Sequence, residues 1–397
     1  MPYPLTFARN DLIPPGGPLE ILFFIPEDWY VCSHRLPLIR GAVRLGHAVT
    51  VVTRVKDHGA AIEAAGATVV PTRLRRGFQN PLAEIRGLID LIRIYRRLKP
   101  DLVHHVTPKS SLFGSFAAWI TGVPGVINAL AGLGYLYTSK GLKARLIRPA
   151  VAQAFRLLLG RRNSRVIVQN RDDQAFFTGV IGLIPEKVVL IQGSGVDTDV
   201  FRPVPPPAAP GIRVCLVARL IWEKGIQETV DAARKMARIR DDIEFILVGD
   251  TDAESPSGVP VEKLRAWDEE GLVTWLGRVD DVPAQLNSCH LVLLPTYYRE
   301  GFPKTLLEAA ACGLPIVATD VTGCREICRD GLNGILIPPR DVDAIVAAVV
   351  RLADDPALRA RFGQESRRLV ETLFSEAIVV EQTMDLYGAM QAELRLS

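Results

Sequence analysis

Short apolar runs, each followed by an amphipathic helical pattern, recur along this chain, and that recurrence restricts the fold more than any other feature. Parallel strands cannot be joined by tight turns. A strand–helix–strand repeat with nearly continuous apolar strands therefore points to parallel sheets covered by helices on both faces. Strands are expected at Ile21–Ile25, Val49–Thr53, Thr68–Val70, Leu102–His105, Val126–Asn128, Val166–Val168 and Val188–Ile191. The pattern stops at Pro203, Pro205, Pro206, Pro207 and Pro210, five prolines within eight residues, a composition that belongs to a linker. It restarts at Arg213–Ala218, Ile243–Val248, Val273–Leu276, Leu291–Leu294, Ile316–Ala318 and Gly334–Ile337. A chain of 397 residues is also too long for one core. We expect an α/β protein of two doubly wound, Rossmann-like domains, 19–203 and 211–375, with a Pro-rich linker at 204–210. Ligands should bind in an interdomain cleft at the carboxyl ends of the parallel strands. A last helical segment, 376–397, lies beyond the final strand and is expected to pack back on the first domain.

Charge separates the two halves. The net charge of +3 hides 25 Lys+Arg against 14 Asp+Glu in residues 1–200, or +11, and 22 against 30 in residues 201–397, or −8. A basic half suits an anionic partner. The six cysteines, Cys32, Cys215, Cys289, Cys312, Cys324 and Cys328, show no CxxC and no pairing rhythm, which fits reduced core residues in a cytoplasmic protein. Residues 1–18 lack a continuous apolar run of the secretory kind. Ser110 to Ser139 is charge-free and long enough to cross a bilayer, but Gly114, Gly122, Pro124, Gly125, Gly132 and Gly134 divide it. A buried helix, a buried strand and a Gly-rich loop account for it better.

Two constellations carry chemistry. In Val217-Ala218-Arg219-Leu220-Ile221-Trp222-Glu223-Lys224-Gly225, directly after a strand, Arg219 and Lys224 can add charge-assisted bonds to a diphosphate at a helix start. Two surface cations would look the same. In Tyr298-Arg299-Glu300-Gly301-Phe302-Pro303-Lys304-Thr305-Leu306-Leu307-Glu308, Gly301 permits close backbone approach and Pro303 suits a first helical turn. Glu300 and Glu308 can hold hydroxyls on two parts of one ligand. Acids near a helix N-terminus are also common for their effect on the helix dipole alone.

Together these residues resemble the signature of the family-four retaining glycosyltransferases of the GT-B fold: Glu300 and Glu308 spaced by seven residues around Gly301-Phe302-Pro303, with Arg219 and Lys224-Gly225 upstream. Val168-Gln169-Asn170, Gly193-Ser194-Gly195-Val196-Asp197, Ala309-Ala310-Ala311-Cys312-Gly313-Leu314-Pro315 and Asp330-Gly331-Leu332-Asn333-Gly334 extend the match. The resemblance implies that Arg219 and Lys224 neutralise the diphosphate of a nucleotide sugar, with UDP as the expected carrier. It implies that Glu300, with the backbone N–H groups of Gly301, Phe302 and Lys304 and the ring of Pro303 nearby, holds the donor sugar, and that Glu308 holds the ribose. Gly249 is counted among the donor contacts. Asp250 and Asp252 mimic the metal-binding pair of a different transferase fold, yet the resemblance implies cations in place of metal, so neither a divalent ion nor another cofactor is expected. No second carboxylate stands at hydrolase-like placement, so no covalent glycosyl intermediate is expected either.

The basic first half is expected to bring the acceptor. After the first strand, Ser33, His34 and Arg35 occupy a loop where many relatives have a Gly-rich turn. They are candidates for an acceptor phosphate or sugar as much as for a plain surface role. The relatives' active-site histidine falls near His104 and His105; alternation sends these two to opposite faces, so one at most should reach the site. Lys109, Gly132 and Gly134 complete the acceptor candidates. Arg73, Arg75 and Arg76 precede a helix whose apolar stripe is Leu82, Ile85, Leu88, Ile89, Ile92 and Tyr95, and Arg86, Arg93, Arg96, Arg97 and Lys99 share that segment. Lys140, Lys143, Arg145, Arg148, Arg156, Arg161, Arg162 and Arg165 follow. With no nucleic-acid module beside them, these cations suit peripheral contact with an anionic inner membrane face and a polyprenyl-diphosphate-linked sugar acceptor. Three other readings stay open: transfer to a soluble sugar or sugar phosphate, a nucleotide-sugar epimerase, and a non-catalytic nucleotide-sugar sensor. A nicotinamide dehydrogenase is disfavoured because no GxGxxG follows the first strand of either half.

Overall fold

The computed structural model describes residues 17–77, 80–130, 132, 142–205, 211–251, 255 and 257–395. Lys140, Gly134, Asp252 and linker residues 206–210 lie outside the described residues, as do the side chains of Lys143 and Arg145. The chain forms two compact units: the residues up to Ser194 joined by those from Glu376 onward, and Gly195–Ser375.

The first unit is a seven-stranded parallel sheet in the order β3-β2-β1-β4-β5-β6-β7. Its strands are β1 (Glu20–Glu27), β2 (Ala48–Arg54), β3 (Thr68–Pro71), β4 (Leu102–Val106), β5 (Gly125–Leu130), β6 (Ser164–Val168) and β7 (Val188–Leu190). The second is a six-stranded parallel sheet in the order β10-β9-β8-β11-β12-β13. It comprises β8 (Ile212–Val217), β9 (Ile243–Val248), β10 (Thr274–Trp275), β11 (Leu291–Leu294), β12 (Ile316–Thr319) and β13 (Gly334–Ile337). Every expected strand is present. Side chains alternate between two covered faces, so both faces are apolar: Phe23 and Ile21 look into one core of the first unit, Leu22 and Phe24 into the other.

Each sheet turns around its first strand. β1 pairs with both β2 and β4, and β8 with both β9 and β11. Between β1 and β4, and between β8 and β11, the crossovers diverge to opposite sides. A crevice is left there beyond the carboxyl ends of the strands.

As far as Leu130, the charge-free run from Ser110 lies in a helix, Pro108–Thr121, followed by β5, and most of the expected Gly-rich loop lies outside the described residues. No helix among the described residues is long and apolar enough to cross a membrane. The chain enters the second unit at Gly195, ahead of the proline run expected as the boundary. The segment before the prolines is held there by Arg367, whose guanidinium donates to the carbonyls of Phe201 at 2.7 Å and Thr198 at 3.1 Å. The helix Glu376–Arg395 belongs to the first unit, where its Val379, Tyr387 and Met390 join the Phe23 core.

Candidate active site

The second unit brings the expected donor residues to its switch point. Arg219 and Lys224 follow β8, and Glu300 follows the adjacent β11. Leu220 and Ile221 are buried and anchor the first loop, leaving Arg219 exposed between them and the strand. Lys224 Nζ donates to Glu300 Oε1 at 2.6 Å, and both side chains are largely buried. The two loops meet through backbone. A Cβ on Gly225, which has φ 78°, would lie 2.3 Å from the Pro295 carbonyl oxygen, so only glycine serves there. Tyr297 N donates to Glu223 O at 2.9 Å and closes the same seam.

Glu300 has a second support that sequence reasoning missed. The buried Thr296 hydroxyl lies 3.1 Å from Glu300 Oε1 and 2.9 Å from Glu223 O, and it donates to one of them at a time. The Thr296 carbonyl in turn accepts from the Thr319 hydroxyl at the end of β12. Gly323, at φ 84°, packs under the loop, where a Cβ would come 2.8 Å from the Glu300 and Gly301 carbonyl oxygens. A hydroxyl residue directly after a strand and proline was the available signal for Thr296. Gly323 carried none.

Pro303 is the N-cap of the helix Lys304–Ala311, one residue ahead of the expected first turn, and that helix start has no side-chain cap. Phe302 packs edge-on against Phe374, with ring centroids 5.2 Å apart. The Glu308 side chain is largely buried on this helix, with Lys304 Nζ 3.7 Å from its Oε1. Burial pushes the Glu308 carboxyl up to about 7, against the opposing pull of Lys304. Gly249 is committed to the sheet edge: its N–H donates to Gly277 O at 2.7 Å, and a Cβ would lie 1.9 Å from Ala218 O. Among the described residues, no three His, Cys, Asp or Glu side chains gather closely enough to hold a metal ion.

The first unit departs from expectation. The segment after β1 is a helix, Asp28–His34, rather than an open loop. Its start is fixed by Asp28, which accepts from the amides of Trp29, Lys56 and His58 at 2.8, 2.6 and 3.0 Å. Burial alone would raise the Asp28 pKa, but those three donors hold it below the usual carboxylate range. His34 stacks on Tyr30 with centroids 4.2 Å apart, and its Nδ1 lies 2.6 Å from the Ser33 hydroxyl. Arg35 is buried.

Both candidate histidines, of which one at most was expected to reach the site, are buried. His104 stacks on Phe23, and its Nδ1 lies 2.6 Å from the Tyr387 hydroxyl of the last helix. His105 Nδ1 donates to Asn128 Oδ1 at 2.8 Å, so its Nε2 accepts from the Tyr95 hydroxyl at 3.0 Å. Burial lowers the His105 pKa to about 4 and that of His104 well below the ordinary value. Lys109 is also committed: its ammonium donates to the carbonyls of Arg75 and Gly77 and to Glu84. Gly132 is buried in the described chain, at φ 89°.

Comparison with known proteins decides the class. Residues 211–355 match the family model for glycosyl transferases group 1, and residues 20–170 match the glycosyl transferase 4-like model. The chain is a GT-B glycosyltransferase. The transferase is 26% identical over 89% of its length to the N,N'-diacetylbacillosaminyl-diphospho-undecaprenol alpha-1,3-N-acetylgalactosaminyltransferase of Campylobacter jejuni, covering 94% of that protein. It is 24% identical over 82% of its length to the UDP-Gal:alpha-D-GlcNAc-diphosphoundecaprenol alpha-1,3-galactosyltransferase of Escherichia coli, covering 84% of that protein. Among solved structures, Anabaena HepE in complex with UDP and glucose superposes with a TM-score of 0.76 at 20% identity, over 93% of this chain and 99% of that one. The last likeness speaks to the fold.

Proposed function

We propose that this transferase moves a hexose or N-acetylhexosamine from a UDP-sugar to a polyprenyl-diphosphate-linked sugar, with retention of anomeric configuration and without a metal ion, in surface polysaccharide or glycan assembly. The observation that carries the donor half is the Lys224–Glu300 pair at the β8/β11 switch point, with Arg219 beside it and Glu308 on the next helix. Two cations meet the diphosphate, Glu300 meets sugar hydroxyls, and Glu308 meets the ribose. Lys224 therefore serves two anions, and its bond to Glu300 holds it ready before the donor arrives. The acceptor hydroxyl oxygen bonds to the anomeric carbon as the bond from that carbon to the UDP oxygen breaks. The electron pair leaves with UDP, and a donor phosphate oxygen on the same face takes the acceptor's proton.

Support for the acceptor class comes from the Campylobacter jejuni and Escherichia coli relatives, whose names specify lipid-diphosphate-linked sugars and α-linked products. Transfer from an α-linked UDP-sugar to an α product is retention. The basic first half suits such an acceptor. A panel of UDP-, GDP- and dTDP-sugars, with a polyprenyl-diphosphate-linked monosaccharide as acceptor, tests the reading. Acceptor-dependent UDP release and an α-linked disaccharide by NMR are expected, unchanged by EDTA. Turnover restored only by manganese, a trapped sugar adduct, or no nucleotide-sugar binding would each sink the corresponding part.

A further inference from the structure

The helix Pro81–Leu98 has a second apolar face that its position in the sheet leaves uncovered. It starts at Asn80, whose side chain accepts from Ala83 N at 2.9 Å, and its buried side carries Gly87, Leu91 and Tyr95 against the core. Leu82, Ile85 and Ile89 lie on the opposite side, exposed by 67%, 55% and 42%. Their spacing of three and four residues makes one stripe. Arg86, Arg93, Arg96 and Arg97 are exposed around it, and Asp90, the helix's one partly open acid, lies 3.2 Å from Arg93. Arg73, Arg75 and Arg76 stand on the preceding segment. Lys109 fixes that segment: it holds the carbonyls of Arg75 and Gly77 and pairs with Glu84 of the helix at 2.7 Å. Arg73, Arg93 and Arg97 line a cavity of about 430 Å³ between β3 and the helix.

We propose that this face is the membrane-docking surface, with Leu82, Ile85 and Ile89 entering the headgroup boundary of an anionic bilayer and the arginines binding lipid phosphates. An apolar stripe edged by arginines is the pattern of a helix lying in a lipid interface. The excess of cations over the single open acid selects an anionic surface. The helix runs opposite to the strands, so its apolar start lies at the carboxyl ends of the sheet, the edge where a ligand crevice opens. This rests on the reading that the acceptor is lipid-linked, which requires the enzyme to work at a bilayer.

The test is co-sedimentation of the full chain with phosphatidylcholine vesicles with and without phosphatidylglycerol, at low and high salt, alongside UDP titration. Wild type should bind only the phosphatidylglycerol vesicles. Arg73→Gln, Arg93→Gln and Arg97→Gln together should weaken binding by about fivefold per arginine. Leu82→Ser, Ile85→Ser and Ile89→Ser together should leave a weaker binding that salt abolishes, because screening acts on charge alone. Those side chains are exposed, so an unchanged circular dichroism spectrum and UDP affinity should accompany the loss. Wild type that ignores anionic vesicles overturns the proposal, as does binding that survives both triple variants. Self-association lost in the serine variant would assign the face to a second copy and overturn it too. Vesicle binding without any nucleotide binding would sink the transferase reading and leave this surface standing.

Discussion

At the scale of single residues, Glu308 and His105 respond to pH in opposite directions. Glu308 is raised in the folded state, so its contribution to stability is full below pH 4.5 and is lost as pH rises through about 7. Glu308→Gln should therefore raise the melting temperature at pH 8, by about 1–3 kcal/mol of stability, with no gain below pH 4.5. Donor hydroxyls need the ionised carboxylate, so UDP affinity of wild type should rise as pH passes 7, and that dependence should vanish in the glutamine variant. His105 is depressed, so its contribution is present above pH 6.5 and is lost as pH falls towards about 4. Its ring resonances should stay at their neutral positions down to about pH 5 by NMR; titration near 6.5 would contradict its buried place. Lys224 and Glu300 form a largely buried pair, and removing one partner strands the other. Lys224→Met and Glu300→Gln should each destabilise by about 2–4 kcal/mol. The double variant should recover much of that loss while remaining inactive, and urea melts beside turnover assays separate the two effects.

At the scale of elements, the loop after β11 sets where Glu300 points. Thr296 ties it to the loop after β8, and Thr319 ties Thr296 to β12. Thr296→Val keeps shape and removes the bond. It should lower kcat about tenfold with the donor KM little changed, because a displaced group costs rate before it costs binding; Thr296→Ser should retain activity. These ties were not legible in the sequence. The motif around Glu300 and Glu308 reads from spacing along one segment, whereas Thr296, Thr319 and Gly323 act through strands that are neighbours only in the sheet. The helix Asp28–His34 was misread for a related reason. Its anchor, Asp28, is satisfied by amides of Lys56 and His58, which a local reading of residues 26–37 does not contain.

At the scale of the whole molecule, the chain returns to its first unit after completing the second. The helix Glu376–Arg395 supplies Tyr387 to His104 and lays Val380 against Gly41, where a Cβ would stand 2.5 Å from the valine Cγ1. Gly41→Ala should cost about 1–3 kcal/mol through overpacking. Deleting residues 376–397 should unfold the first unit; a truncated chain with unchanged protection of β1 and β4 in hydrogen exchange would contradict that.

The sequence by itself determined the two parallel sheets, their strands and the donor motif. Strand periodicity and the order of residues along one loop are local properties, and a parallel sheet with helices on both faces leaves few ways to arrange them. Only the tertiary structure decided that both histidines are buried, that Lys109 braces a loop, and that Leu82, Ile85 and Ile89 face outward while Leu91 and Tyr95 face in. The helix carries apolar residues around much of its circumference. Which side becomes core depends on the sheet it meets, and no periodicity within the helix contains that information.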